Sequence, residues 1–118
     1  LDLEKTYKGI MASSGNSFVH ETESQVILNG SYNINFTMDL VLKDTGLFDD
    51  LAKKLNAPLE ISPLVVDIFK DGQKKYGSKA WSSMIVKRME DINKINFRAN
   101  GFPEELIDNE NEEIGYEI

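Results

Sequence analysis

Lys43 and Asp44 stand side by side in the run NFTMDLVLKDTGLFDDLAKKLN, residues 35–56, which is otherwise leucine-rich and helical in pattern. A carboxylate turned toward the apolar face of such a helix needs a partner, which a polar ligand or a facing catalytic group could supply. With Phe36 set at zero and about 100° per residue, Leu40, Leu47, Leu51 and Leu55 fall between roughly 0° and 100°, with Phe48 just beyond. Asp44 lands at about 80°, inside this stripe, and Lys43 at about −20°, on its edge beside Phe36. The opposite side carries Met38, Leu42 and Ala52, and a helix apolar on several sides is expected at the centre of its domain.

The two charges have different ordinary explanations. Asp39 precedes Lys43 by one turn, and acid before base at this spacing is a favourable surface pair. Asp44 has only Leu40, Val41, Leu47 and Phe48 three and four positions away, none of which donates a side-chain hydrogen bond. A carboxylate in an apolar face requires exposure, a donor from another helix, or a ligand, because burying it unpaired is prohibitively costly. A polar ligand or facing catalytic group is the reading that gives the position a purpose.

The other reactive side chains lack partners at useful spacing. His20 is the only histidine and sits in the polar run HETES, where a surface role is expected. Ser13, Ser14 and Ser17 have no His–Asp constellation, so nucleophilic catalysis is not expected. Asp49, Asp50 and the terminal acids lack metal-loop spacing and read as solvated charge, and no metal is expected. The absence of cysteine removes disulfides, thiolate catalysis and cysteine-based zinc sites. A net charge of −7 without basic clusters argues against nucleic acid or anionic membrane as partner. No signal peptide or membrane span is legible, so a cytoplasmic protein is expected and the sequons at Asn29 and Asn35 are read as chance.

Five helices are predicted to position these residues, in an all-α domain of ordinary composition. The first follows Asp2 as N-cap, with Leu3, Tyr7, Ile10 and Met11 on one side, and ends in SSGNS with Gly15 suited to the left-handed cap. The second runs from Asn16 or Ser17 to about Leu28, with Phe18, Val19, Thr22 and Val26 inward. NGSYNIN then supplies a turn anchored by Tyr32 and Ile34. The long third helix spans about Thr37 to Leu55 and stops before Pro58, which biases Ala57 out of helical geometry. The fourth takes Ser62 as N-cap, Pro63 at its first position and Gly77 as terminator. The last, AWSSMIVKRMEDINKIN, places Trp81, Ile85, Met89 and Ile92 on one face, Trp81 reading as a core or interface anchor. No run alternates long enough for a strand. The domain is assigned to residues 1–97 and an irregular acidic tail to 98–118, either solvated or docked through Phe102, Leu106, Ile107 and Tyr116.

FTMDLVLKDTGLFDDLAKKLNAPLEISPLV closely resembles the C-terminal domain of the β-hydroxyacid dehydrogenase family, which includes 3-hydroxyisobutyrate dehydrogenase and 2-hydroxy-3-oxopropionate reductase. Phe36, the Lys43–Asp44 pair and NAPLEISPL stand where the family has its phenylalanine, its "KD" helix and its connection to the next helix. SSGNSF, residues 13–18, is similar to the family's GSGRSW segment, with Phe18 in place of the usual tryptophan. The likeness covers about residues 1–97. Near the end the chain departs from it, with Ala80 and Trp81 where many members have an Asp before Ser-Ala.

The resemblance implies a helical domain like that of 6-phosphogluconate dehydrogenase, closing over substrate beside an N-terminal Rossmann domain of the same polypeptide that binds NAD or NADP. It implies that Lys43 reaches the dinucleotide, while Phe36, Asp44 and Phe18 help wall a cleft for a small 3-hydroxy acid. The catalytic lysine is expected upstream of Leu1, as is the G-x-G-x-x-G fingerprint, which this sequence lacks. A chain opening on helical sequence is read as a piece of a longer polypeptide, inactive by itself, that associates as a homo-oligomer. The rival reading is a stand-alone helical interaction or oligomerisation module.

Overall fold

The computed structural model describes residues 1–106 and 115, and these form an all-α arrangement with no β-strand among them. The helices are α1 (Leu3–Met11), α2 (Phe18–Asn29), α3 (Met38–Lys54), α4 (Ile61–Tyr76) and α5 (Lys87–Asn93), with a 3-10 helix at Ser82–Val86.

Local chemistry explains most of the boundaries. Asp2 caps α1 by accepting from the Lys5 amide at 3.1 Å, and Ser17 caps α2 by accepting from the His20 amide at 3.0 Å. Gly30 ends α2 in the left-handed conformation, φ 96°, returning its N–H to the Val26 carbonyl. The first turn of α3 has no side-chain cap. Its leading amides at Met38 and Asp39 instead donate to the carbonyls of Ala80 and Ser78, while the Ser82 amide donates to the Phe36 carbonyl. This clip, which includes an isolated antiparallel bridge between Thr37 and Trp81, ties the start of α3 to the segment after α4.

Four expectations require correction. α1 ends through Ala12 rather than a left-handed Gly15; the Ser13 hydroxyl donates to the Ile10 carbonyl and accepts from the Gly15 amide, so a side chain turns the backbone. α4 begins at Ile61, before Ser62, whose hydroxyl donates to Asp49 at 2.5 Å instead of capping. The final helix is split into a 3-10 segment and a short α5 that stops at a left-handed Lys94, leaving Met89 and Ile92 exposed. Phe18 and Val19 also point outward, and α2 instead buries Val26 and Leu28.

The buried apolar set is small: Val26, Leu28, Tyr32, Met38 and Ala52. Gly72 makes this packing possible, because a Cβ there would lie 2.6 Å from Ile85 Cδ1 and 3.3 Å from Met38 Sδ. α3, the longest helix, packs chiefly along α4, and the 3-10 segment joins α2, α4 and α5. α3 turns inward the side carrying Met38 and Ala52. The leucine stripe faces out, with Leu47, Phe48, Leu51 and Leu55 between 53% and 68% exposed. The sequence pattern marks two apolar faces on this helix, and the described residues cover only one.

Residues 98–106 return across α2. Phe102 packs edge-on against the Tyr7 ring at 5.2 Å, the Ala99 amide donates to the Leu28 carbonyl, and the side chains of Asn29 and Ser31 donate to the carbonyls of Phe102 and Glu104. Of the four predicted docking side chains, Phe102 and Leu106 lie within the described residues, and Ile107 and Tyr116 outside them.

Candidate functional site

Asp44 lies on the outward stripe of α3, as its angle requires, and its side chain is 55% exposed. Lys43 Nζ lies 3.2 Å from Asp44 Oδ1, so the two neighbours pair with each other. The expected Asp39–Lys43 pair does not form: Asp39 Oδ2 accepts from Lys79 Nζ at 2.6 Å, and its other oxygen accepts from the Thr37 hydroxyl. Those donors outweigh desolvation and lower the Asp39 pKa. An exposed pair such as Lys43–Asp44 contributes at most about 1 kcal/mol, too little to account for charges in the middle of an apolar stripe. The arrangement is a helix face carrying the Lys43–Asp44 pair, Lys54 and four exposed large apolar side chains.

Phe36 stands two residues before the start of α3. It is half-buried and lines a cleft of about 490 Å³ between α2, the start of α3, α4 and the 3-10 segment. Phe18 is 80% exposed at the start of α2 and, like Lys43 and Asp44, is not part of that lining. The described residues pair Lys43 with Asp44 and put Phe36, but none of the other three, in the lining of that cleft.

Two features escaped sequence reasoning. Glu90, only 1% exposed, accepts from the Tyr32 hydroxyl at 2.6 Å, the Phe97 amide at 2.8 Å and Arg98 at 2.7 Å. Arg98 also donates to the Tyr32 hydroxyl at 2.7 Å and lies over its ring. Burial alone would raise the Glu90 carboxyl, but these donors outweigh it and hold the pKa below its ordinary value. Tyr32 is raised by burial and by its bond to Glu90. The second feature is Glu23, which lines the cleft and is held above the usual carboxylate range by desolvation. Neither acid stood out in the sequence, because partners far apart along the chain leave no local spacing.

Residues 1–89 match the family described as NAD-binding of NADP-dependent 3-hydroxyisobutyrate dehydrogenase. The chain belongs to the β-hydroxyacid dehydrogenase family. Its similar relatives include L-threonate dehydrogenases of Escherichia coli K12, Haemophilus influenzae and Pectobacterium atrosepticum, each 26% identical over 87 residues. Those matches cover 74% of this chain and 29% of each relative. The family's cofactor is NAD(P). This β-hydroxyacid dehydrogenase domain carries an exposed lysine beside apolar surface on α3.

Proposed function

We propose that the chain is the helical, cleft-forming part of an NAD(P)-dependent oxidoreductase acting on a small 3-hydroxy acid or its semialdehyde. The nicotinamide, when bound, supplies the hydride acceptor or donor. Lys43 directs its ammonium to phosphate or ribose oxygens of the dinucleotide, and Asp44 holds that ammonium in place when the site is empty. Phe36 and Phe18 contribute apolar wall on the substrate side. An N-terminal Rossmann domain of the same polypeptide carries the glycine-rich turn, and the lysine that moves the hydroxyl proton belongs to a segment upstream of Leu1. The whole enzyme is a cytoplasmic homo-oligomer, and the isolated chain has no turnover.

One observation carries this reading: a charged pair set in an uncovered apolar stripe on a family-matched helix. An apolar surface of that kind marks a binding face, and a Lys–Asp pair inside it suits a polar ligand held at the same junction. The same stripe, without catalysis, would also serve a stand-alone association module. Two measurements separate the readings. In the full-length enzyme, Lys43→Ala is expected to raise the apparent cofactor KM about tenfold, the loss of one charge-assisted contact, with little change in kcat. An unchanged KM removes Lys43 from the site. Reproducible NAD(P)H oxidation by the 118-residue chain alone would contradict the division of labour.

A further inference from the structure

The sequence contains two Asn-Gly pairs, Asn29–Gly30 and Asn100–Gly101. Such a pair reacts with itself when its groups are free: the glycine nitrogen, with no Cβ to shield it, closes on the asparagine side-chain carbonyl to give a cyclic imide. The two pairs share this chemistry, and the fold treats them differently. Asn29–Gly30 is held shut. The Gly30 amide donates to the Val26 carbonyl at 3.0 Å, and Asn29 Nδ2 donates to the Phe102 carbonyl at 2.9 Å. Arg98 packs against Gly30, where its guanidinium would collide with an added Cβ. Both the attacking nitrogen and the group to be displaced are occupied, so reaction there waits on local opening of the α2 terminus.

Asn100–Gly101 is open. It forms an exposed turn, and neither the Asn100 side chain nor the Gly101 amide has a hydrogen-bond partner among the described residues. Gly101 takes the left-handed conformation, φ 84°, with nothing within 4 Å of where a Cβ would stand. Anchors flank the turn on both sides. Before it, the Ala99 amide donates to the Leu28 carbonyl at 3.0 Å, and Arg98 donates to Glu90 at 2.7 Å. After it, Phe102 packs on Tyr7, its carbonyl accepts from Asn29, and the Glu104 carbonyl accepts from the Ser31 hydroxyl at 2.6 Å. The reactive pair is the unanchored link between two docked stretches.

We infer that Asn100–Gly101 is a self-modification site, whose conversion to isoaspartate frees residues 102–106 from α1 and α2. The Gly101 nitrogen forms a bond to Asn100 Cγ, and the Cγ–Nδ2 bond breaks. Ammonia departs with the proton that the Gly101 nitrogen gives up. Water then opens the imide: attack at Cγ yields aspartate, and attack at the main-chain carbonyl of residue 100 yields isoaspartate. No oxidant or reductant is consumed. Isoaspartate carries the main chain through Cγ, which adds one carbon, about 1.5 Å, between the anchors. Only Asn100 and Gly101 separate Ala99 from Phe102, so the insertion displaces one set of anchors. The side before the turn holds, because Arg98 is tied to buried Glu90 and to Tyr32, and the side after it yields. This inference is independent of hydride transfer and of every residue assigned to it.

The test ages the full 118-residue chain in warm neutral buffer and maps its peptides by mass spectrometry. Conversion of amide to acid is expected at least about tenfold faster at Asn100 than at Asn29, the protection that a closed helix end gives. In urea the two rates should converge to within about twofold, since the fold is what separates them. Gly101→Ala should slow conversion at Asn100 about tenfold, because a Cβ then shields the nitrogen. Asn100→Gln, which leaves the Gly101 backbone untouched, should abolish it. Circular dichroism confirms that both variants keep their helices. In the isoaspartyl product the nuclear Overhauser contact between the Tyr7 and Phe102 rings should be lost. Asn100→Asp, which adds the charge without the extra carbon, should retain that contact. Equal rates at the two pairs in the folded chain, a difference that persists in urea, or conversion undiminished by Gly101→Ala overturns the proposal. So does an isoaspartyl chain that keeps Phe102 on Tyr7, or an Asn100→Asp chain that loses it, since charge is then the cause.

Discussion

Glu90 and Asp44 are both carboxylates on helices, and the molecule treats them in opposite ways. Glu90 is sealed beneath Tyr32, Phe97 and Arg98, with both oxygens occupied by three donors from two parts of the chain. Asp44 stands in an apolar stripe, half-exposed, and holds only its sequence neighbour. The first region is complete: the α2–α3 connection, α5 and the returning segment supply everything the buried charge needs. The second is unfinished by the same standard, since four large apolar side chains around Asp44 remain in water. A charge enclosed by its own chain belongs to the fold. A charge left open amid apolar surface is not accounted for by the fold alone.

The contrast can be broken first at Glu90. Glu90→Ala leaves Arg98 and Tyr32 without their acceptor and should destabilise the chain by about 3 kcal/mol, measured by urea unfolding at neutral pH. A loss near that of an average surface substitution would mean that the enclosed network is ornamental. A smaller effect is expected from acid. The folded Glu90 carboxyl ionises below its ordinary value of 4.5. Its stabilisation is therefore complete above about pH 4.5 and disappears as pH falls through the lowered value, because the unfolded chain binds the extra proton first. Urea midpoints measured from about pH 6 to about pH 3 should fall more steeply in the parent chain than in Glu90→Gln.

The smallest effect sharpens the other side. In the isolated chain, Leu51→Glu should change unfolding free energy by no more than about 0.5 kcal/mol, because the side chain is already solvated. In the full-length enzyme the same substitution should depress activity or assembly severalfold, read by turnover and sedimentation. Equal indifference in both settings would leave the stripe without a role.

How much of this was legible in the sequence differs by level. Helix number, the cap at Asp2 and the stop at Gly77 follow from local rules, and the structure agrees because those bonds are made within one turn. The inward side of α3 did not follow. With Met38 and Ala52 on one side and the leucines on the other, periodicity marks two apolar faces but cannot rank them, and the choice was made by α4. Asp44 stands out in the sequence because a charge inside a periodic apolar pattern is itself a local signal, whereas the role given to Lys43 rests on the family resemblance. Glu90 was missed because its meaning depends on Tyr32, 58 positions away, and on Arg98 beyond the last helix. Glu23 was missed because a glutamate in a polar run looks solvated until the opposing wall, Phe69 and Ile85, is in place.

The clip between the start of α3 and residues 78–82 turns a static feature into a reporter. The amides of Met38, Asp39 and Ser82 are held across that junction rather than within a single helix, so they should exchange with solvent deuterium as one cooperative group. Anything that grips Phe36, whose carbonyl receives the Ser82 bond, should slow all three together, letting occupancy of the neighbouring cleft be followed by mass or nuclear resonance without any assay of turnover.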